Sequence, residues 1–291
     1  MSAVRPLGRS ALFRSRPTWL VVPVVQRVPY VRYQSTSSEA PATAALSPRW
    51  LSDVRTRIGK CINFGMNPAQ IEETGSILQE TAVDWRELVA GSEGFLTGKQ
   101  WRGLYRQEVS RLCVGQHDVK GHVNNVMYNR YAESARVNWT LNFAAMDPQH
   151  KAEWMELMTP KSVGLILRSI KTDYKFPMKW PDRITVLHKL RDNPSENSDH
   201  FILDVMILSE AQRRPAARCV EDIVTYDYRT AKKSPLPPFM IKKLQETFKL
   251  QEEAKEKNSN RVRVLLDRVR ELEKSSWDRP DAKEDFGSAN Q

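Results

Sequence analysis

The sequence predicts an α+β fold, because one strand pattern precedes a long helical pattern and several strand patterns follow it. Residues 104–114 suggest a strand, with Tyr105, Gln107 and Val109 on one face. Residues 123–145 favour a long helix, whose apolar positions recur at every fourth residue: Val123, Met127, Tyr131, Ala135 and Trp139.

Strand patterns dominate the chain after this helix. Apolar and alternating runs predict four strands, at residues 163–174, 183–190, 201–209 and 217–228. Turn-forming residues separate the last three of these runs, at 193–197 and at 212–215. Short connections of this kind favour antiparallel neighbours, so we expect an antiparallel sheet beside the long helix.

Helical patterns flank this block on both sides. Residues 48–92 predict two helices, with these candidate buried residues: Trp50, Leu51, Val54 and Ile58 in the first, and Ile71, Ile77, Leu78 and Trp85 in the second. Residues 239–274 predict a highly charged helix with a break near 258–260 and a short apolar stripe from Val262 to Leu272. Residues 275–291 are expected to be disordered.

Positive charge is concentrated at the N-terminus. The net charge is +10, and residues 1–38 contain six arginines and no acidic residue, so 10 − 6 leaves +4 for the other 253 residues. This composition is typical of a mitochondrial transit peptide and predicts a matrix protein, with a disordered basic tail as the alternative. The expected organisation is a transit peptide at 1–38, a linker and helical extension at 39–99, the α+β domain at 100–240, and a charged helical extension with a disordered tail at 241–291.

Composition also argues against several functional classes. No apolar run approaches the roughly 20 residues that span a bilayer. The three cysteines, Cys61, Cys113 and Cys219, are far apart and have no metal-ligand spacing, so no metal site is expected. Acidic residues interrupt the basic ones in the C-terminal helix, and no aromatic RNA-binding motif is found, so nucleic-acid binding is disfavoured.

One motif carries the functional argument. The segment Asp118-Val119-Lys120-Gly121-His122-Val123-Asn124-Asn125 continues through Tyr128, Tyr131, Glu133 and Arg136 into the predicted helix. It resembles the signature of the 4-hydroxybenzoyl-CoA thioesterase-like branch of the hotdog superfamily, to which acyl-CoA thioesterases are related. A second segment, Asp173-Tyr174-Lys175 with Pro177, also resembles this branch. The resemblance covers about residues 104–240.

The resemblance implies a hotdog fold, in which a bent antiparallel sheet wraps around the long helix. It implies a homodimer or homotetramer with active sites where protomers meet. Asp118 matches the catalytic carboxylate, which acts as general base on water or as nucleophile, and Gly121 supplies backbone N–H groups to the thioester carbonyl. No cofactor or metal is implied.

Elementary chemistry agrees with these roles. Thioester hydrolysis builds negative charge on the carbonyl oxygen, and the unpaired N–H groups at a helix N-terminus stabilise such charge. Asp118 is alternatively a helix cap, since Asp is favoured there. Asn124 or Asn125 could hold the water, the substrate or the loop itself, and Asn124 is the one placed among the catalytic candidates. The candidate substrate-binding residues are His122, Asn125, Tyr128 and Lys175.

Basic residues near the site could meet the phosphates of coenzyme A or phosphopantetheine; besides Lys175 the candidates are Lys179, Arg183 and Arg191. Glu133 and Arg136, three residues apart, are expected to form a helix-surface or interface ion pair. Gln116 stands where this branch often has an acidic residue, and His117 and Lys120 are also unusual there. The sequence therefore predicts a thioesterase acting on acyl-CoA or acyl carrier protein, with a non-catalytic dimerisation or assembly module as the alternative.

Overall fold

The computed structural model describes residues 46–47, 49–109 and 121–284. The helices are α1 (Trp50–Asn63), α2 (Pro68–Val83), α3 (Trp85–Val89), α4 (Asn125–Met146), α5 (Lys151–Glu156) and α6 (Pro238–Ser275). The strands are β1 (Arg102–Glu108), β2 (Val163–Tyr174), β3 (Arg183–Leu190), β4 (His200–Ser209), β5 (Arg214–Asp227) and β6 (Lys232–Lys233). The structure thus confirms the predicted long helix and the four strands that follow it.

The strands form one antiparallel sheet in the order β1-β3-β4-β5-β2, with the short β6 paired to β5. The strand β2 therefore forms one edge of the sheet among the described residues. Together with the long α4 and the additional helices, this sheet gives the predicted α+β hotdog architecture.

Helix α4 packs on the inner face of the sheet. Its predicted apolar positions are all buried: Met127, Tyr131, Ala135 and Trp139, with Val123 just before the helix. Helix α4 lies very close to β1 at Gly103, where an added Cβ atom would lie 2.4 Å from the carbonyl oxygen of Ala135. Only glycine allows this contact, because any larger residue would push the helix away from the sheet.

Strand β1 departs from the predicted alternation. Its register against β3 shifts at two places, and Arg106 adopts a φ of 50°. The expectation that Tyr105, Gln107 and Val109 lie on one face is wrong, since Tyr105 and Gln107 are exposed and Val109 is buried. Bulges of this kind change which face successive side chains occupy. The predicted continuation of the strand to residue 114 lies outside the described residues.

The outer face of the sheet is covered by the flanking helices. Three outward-facing residues of β3 and β4, Leu187, Met206 and Leu208, belong to one hydrophobic cluster with residues of α1, α2, α3 and α6. Gln251 of α6 also binds β3 directly, because its side-chain amide accepts from the N–H and donates to the carbonyl of Leu190 at 2.9 and 3.0 Å. The additional helices are therefore packed on the same sheet that carries α4.

Three expectations for these helices need correction. Ile71 and Leu78 are exposed, by 58% and 36%, because α2 turns Thr74, Ile77 and Thr81 toward the other helices. Helix α6 is continuous through 258–260, where buried Asn258 donates to the carbonyl of Ala254. Disorder was expected over residues 275–291, but residues 275–284 are described, and there the ammonium of Lys60 lies 3.2 Å from the ring centre of Trp277. Residues 285–291 lie outside the described residues.

Arginine–carboxylate pairs connect these helices. Arg57 of α1 donates two hydrogen bonds, of 2.7 and 2.8 Å, to Glu273 of α6. Arg268 of α6 binds Glu73 and Glu80 of α2 at 2.6 and 3.2 Å. Such bidentate and networked pairs fix orientation as well as adding energy. Among the described helices, none is long and apolar enough to cross a membrane.

Candidate functional site

The N-terminus of α4 is capped by Asn124. Its side-chain oxygen accepts from the N–H of Val126 at 3.0 Å, and its carbonyl accepts from the N–H of Met127 at 2.9 Å. The N–H of Asn125 has no acceptor among the described residues. The helix dipole adds partial positive charge at this end. The start of α4 therefore presents a backbone donor suited to an oxygen atom that gains negative charge.

The segment before the helix runs against residues 178–179. Val123 donates to the carbonyl of Met178 at 3.0 Å, and His122 forms an isolated antiparallel bridge with Lys179. Gly121 is exposed and adopts a φ of 76°, a conformation that glycine takes without strain. This pairing places Lys179 beside the start of α4.

Two tyrosines pack at the first turns of α4. The hydroxyl of Tyr128, which is 1% exposed, accepts from the N–H of Met178 at 3.1 Å. Its ring meets Tyr174 edge-on at 5.2 Å between centres, and the Tyr174 hydroxyl donates to the carbonyl of Asn125 at 3.3 Å. Burial raises the pKa of both tyrosines, so both hydroxyls stay protonated at neutral pH. Tyr128 thus supports the segment before the helix, and its predicted role in substrate binding stays a prediction.

The four basic candidates differ in their ion pairs. Arg183 donates to Glu108 at 2.9 Å, and Arg191 donates to Asp204 at 2.5 Å. Lys175 and Lys179 are exposed and form no ion pair with any described residue. Lys175 follows directly on Tyr174 and is held by a backbone hydrogen bond to the carbonyl of Ala216 at 2.8 Å. The two lysines are therefore the better placed cations for a phosphate near the α4 N-terminus.

A neutral polar group that sequence reasoning overlooked lies under the first two turns of α4. The hydroxyl of Thr172 on β2 donates to the side-chain oxygen of Asn129 at 2.7 Å and lies 3.4 Å from the sulfur of Cys219 on β5. Burial raises the pKa of the Cys219 thiol to about 11, so it is neutral at physiological pH. The signal in the sequence was Asn129 itself, a residue disfavoured inside helices unless its side chain has a partner.

A buried ion pair lies further along α4. Arg136 donates to Glu221 of β5 at 2.6 Å, where the glutamate side chain is 0% exposed. His188 of β3 lies 3.7 Å from the other Glu221 oxygen and stacks on Trp139. The expected pairing of Arg136 with Glu133 is wrong, because Arg136 faces the sheet while Glu133 is exposed.

The first part of the motif falls in a stretch that the structure does not describe. Asp118, together with Gln116, His117 and Lys120, lies outside the described residues. The catalytic roles predicted for Asp118, Gly121 and Asn124, and the binding roles predicted for His122, Asn125 and Lys175, stay predictions. In the described part of the chain, no group of three or more His, Cys, Asp or Glu side chains is arranged to hold a metal ion.

Part of this chain is similar to proteins described as thioesterases. No curated protein matches the chain. A probable thioesterase from Escherichia coli, YbaW, is 23% identical, with 48% of this chain and 95% of that chain aligned at a TM-score of 0.38. A thioesterase from Thermus thermophilus, solved with coenzyme A and Zn, is 18% identical, with 54% and 98% aligned at a TM-score of 0.38. Residues 114–244, a little under half of the chain, match the family model of the thioesterase-like superfamily.

Proposed function

We propose that this protein is a mitochondrial acyl-thioester hydrolase that acts on acyl-CoA or acyl carrier protein. The observation that carries the proposal is the capped N-terminus of α4, whose Asn125 N–H has no acceptor among the described residues, inside the segment that matches the thioesterase-like superfamily. A backbone donor held by a rigid helix is preorganised, so it stabilises developing charge without reorganising during the reaction.

In the proposed reaction, the thioester carbonyl oxygen accepts from the Asn125 N–H and from backbone near Gly121. Asp118 removes a proton from water, and the water oxygen attacks the carbonyl carbon. The C–S bond then breaks, and Asp118 returns the proton to the leaving thiolate sulfur, so that a thiol and a carboxylic acid are released. The side-chain oxygen of Asn124 is occupied by the Val126 N–H. Its amide nitrogen is the part left to hold the water.

The carrier would be recognised through its phosphates. Lys175 directly follows β2, and Lys179 forms an isolated backbone bridge with His122 just before α4. Neither ammonium group is paired with a described acidic residue. An ammonium group without a carboxylate partner is well suited to a phosphate. Replacing both lysines with alanine should raise KM for acyl-CoA more than it lowers kcat.

We also propose a homodimer formed through β2. This strand is twelve residues long and has no neighbour on its outer side among the described residues. An exposed edge strand is a template for pairing with a second chain. Pairing at β2 would bring the second protomer next to Thr172 and Tyr174, close to the start of α4. Sedimentation of the purified protein tests this assembly.

The mitochondrial location rests on the composition of residues 1–38, with six arginines and no acidic residue. Fusing these residues to a fluorescent protein should direct it to mitochondria. Substituting the six arginines with glutamine should abolish that targeting. A fusion that stays outside mitochondria would contradict the location and leave the proposed chemistry open to its own test.

The chemistry is tested with residues 39–291, assayed against acyl-CoA and acyl carrier protein substrates of several chain lengths. Asp118→Asn should lower kcat by about 10²–10⁴-fold, the usual contribution of a general base. The control is Asp192→Asn, since Asp192 is an exposed loop carboxylate. Turnover that survives Asp118→Asn would remove Asp118 from the mechanism. A folded dimer without turnover on any substrate would favour the non-catalytic module.

A further inference from the structure

A cavity of about 500 Å³ opens beside the end of β1. Its walls come from β1, from residues 180–183 and from the turn that follows β4. Sites for small molecules have volumes of about 300–1,000 Å³, so this cavity is large enough for a nucleotide. Trp180, whose side chain is 46% exposed, and Arg106 both line it. The cavity therefore combines an accessible aromatic ring with an arginine.

The backbone of Arg106 is held in this wall in an unfavourable conformation. Its φ is 50°, in the left-handed region that residues with a Cβ atom avoid. It lies where the register of β1 against β3 shifts, and its N–H donates to the hydroxyl of Thr185 at 3.3 Å. Its guanidinium has no hydrogen bond or ion pair with a described residue. Strain of this kind concentrates at ligand-binding positions, and here it fixes the backbone of an arginine that no described carboxylate neutralises.

The acidic residues that line the cavity already have donors. Glu210 accepts from the guanidinium of Arg86 at 3.0 Å and from the hydroxyl of Thr185 at 2.5 Å. Asp182 accepts from the hydroxyl of Ser209 at 2.5 Å and from a backbone N–H of the following turn at 3.0 Å. The third carboxylate, on β1, forms the exposed ion pair with β3 described above. Among the described side chains of the wall, the guanidinium without such a partner is therefore the group best suited to an anion.

The cavity adjoins the proposed reaction centre. Trp180 directly follows Lys179, whose backbone bridges to His122 just before α4. The path from Asn125 to Trp180 is three residues, one bridge and one further residue, which is no more than about 20 Å at ~3.6 Å per residue and ~5 Å between paired strands. The pantetheine arm of coenzyme A, which separates its thioester from its nucleotide, extends over a comparable distance. A thioester held at the Asn125 N–H can therefore place its nucleotide in this cavity.

Coenzyme A and acyl carrier protein present the same pantetheine arm, but only coenzyme A ends in an adenosine 3′-phosphate. An adenine ring stacks favourably on an exposed indole, and a guanidinium binds phosphate through parallel hydrogen bonds. We propose that the cavity binds the adenosine 3′-phosphate of coenzyme A, through Trp180 and Arg106, so that the enzyme hydrolyses acyl-CoA in preference to acyl carrier protein. This inference rests on the proposed hydrolase function.

The first experiment measures the binding of adenosine 3′,5′-bisphosphate, the nucleotide end of coenzyme A, to the full-length protein by calorimetry. Arg106→Gln and Trp180→Ala should each raise Kd roughly tenfold, the effect of losing one charge-assisted hydrogen bond or one stacked base. The matched control is Arg263→Gln, an exposed arginine of α6 that does not line the cavity, and it should keep Kd. No binding, or a Kd that neither cavity variant changes, would overturn the nucleotide site.

The second experiment compares kcat/KM for an acyl-CoA with that for the same acyl group on phosphopantetheine, which lacks the nucleotide. The unmodified enzyme should favour acyl-CoA by roughly tenfold or more, and both cavity variants should remove most of this advantage. Equal kcat/KM for the two thioesters would overturn the carrier preference and leave the hydrolase function standing. Nucleotide binding that both variants weaken, without hydrolysis of any thioester, would overturn the hydrolase function and leave the nucleotide site standing. Circular dichroism of each variant establishes that it is folded.

Discussion

Replacing Arg136 with methionine should destabilise the protein by about 3–5 kcal/mol, the usual cost of leaving one member of a buried ion pair without its partner. The Arg136–Glu221 hydrogen bond is 2.6 Å long, and the side chains are 14% and 0% exposed. The second Glu221 oxygen has no hydrogen bond among the described residues, and His188 lies 3.7 Å from it. Without Arg136, the buried carboxylate would keep only His188 beside it, at 3.7 Å, and no side-chain hydrogen bond from a described residue.

The two side chains differ in exposure, so replacing Glu221 should lower the free energy of unfolding less than replacing Arg136. Glu221→Gln should destabilise by about 1–3 kcal/mol, because the partly exposed Arg136 can recover some hydration. The double variant Arg136→Met/Glu221→Gln should lose less than the sum of the two single changes, by about 1–3 kcal/mol, since the residues are in direct contact.

Chemical denaturation with urea measures these differences, with circular dichroism as the signal. Arg130→Met is the control, an exposed arginine on the same helix, and should change stability by less than about 0.5 kcal/mol. A loss below about 1 kcal/mol for Arg136→Met, or strict additivity in the double variant, would refute the reasoning that this pair is buried and coupled.

Two further predictions concern backbone packing and pH. Gly103→Ala should destabilise by about 1–3 kcal/mol through overpacking, because the added Cβ would lie 2.4 Å from the Ala135 carbonyl oxygen. Gly75→Ala should stabilise by about 0.5–1 kcal/mol, because nothing lies within 4 Å of the added carbon. Urea unfolding of both variants checks the contrast, and equal effects would contradict it. Hydrogen bonding from Arg57 lowers the pKa of Glu273 from its ordinary value of 4.5, so this carboxylate stabilises the fold above pH 4.5 and ceases to do so as the pH falls below it. The stability difference between the protein and Glu273→Gln should therefore shrink below pH 4.5, and a difference independent of pH would contradict the assignment.

Much of the fold could be predicted because an element that buries one face has apolar residues at regular intervals in its sequence. The strands at 163–174 and 183–190 and the helix from residue 125 follow the apolar pattern closely, since one face of each packs on the core. The pattern could not tell which apolar residues of α2 are buried. Ile71 and Ile77 look equivalent in sequence, and only the packing of α2 on the other helices separates them.

The candidate site was also predicted only in part from the sequence. The apolar periodicity from Val123 onward predicted where the helix begins, and the motif from Asp118 to Asn125 stands at that start. The cap at Asn124 was not predicted, since the sequence offered Asp118 as the alternative cap. The partners of that helix come from elsewhere in the chain. Thr172 reaches Asn129 across 43 positions, and Glu221 reaches Arg136 across 85.

The sequence by itself therefore determined the α+β order of elements, the central helix and the location of the motif at its N-terminus. These are consequences of local spacing, charge and turn chemistry. Only the tertiary structure decided that Arg136 pairs with Glu221 rather than Glu133, that the outer helices cover β3 and β4, and that Thr172 of β2 binds Asn129 of α4. Those contacts join residues that are distant in the chain, and which side chains meet depends on strand register and helix rotation that no local pattern records.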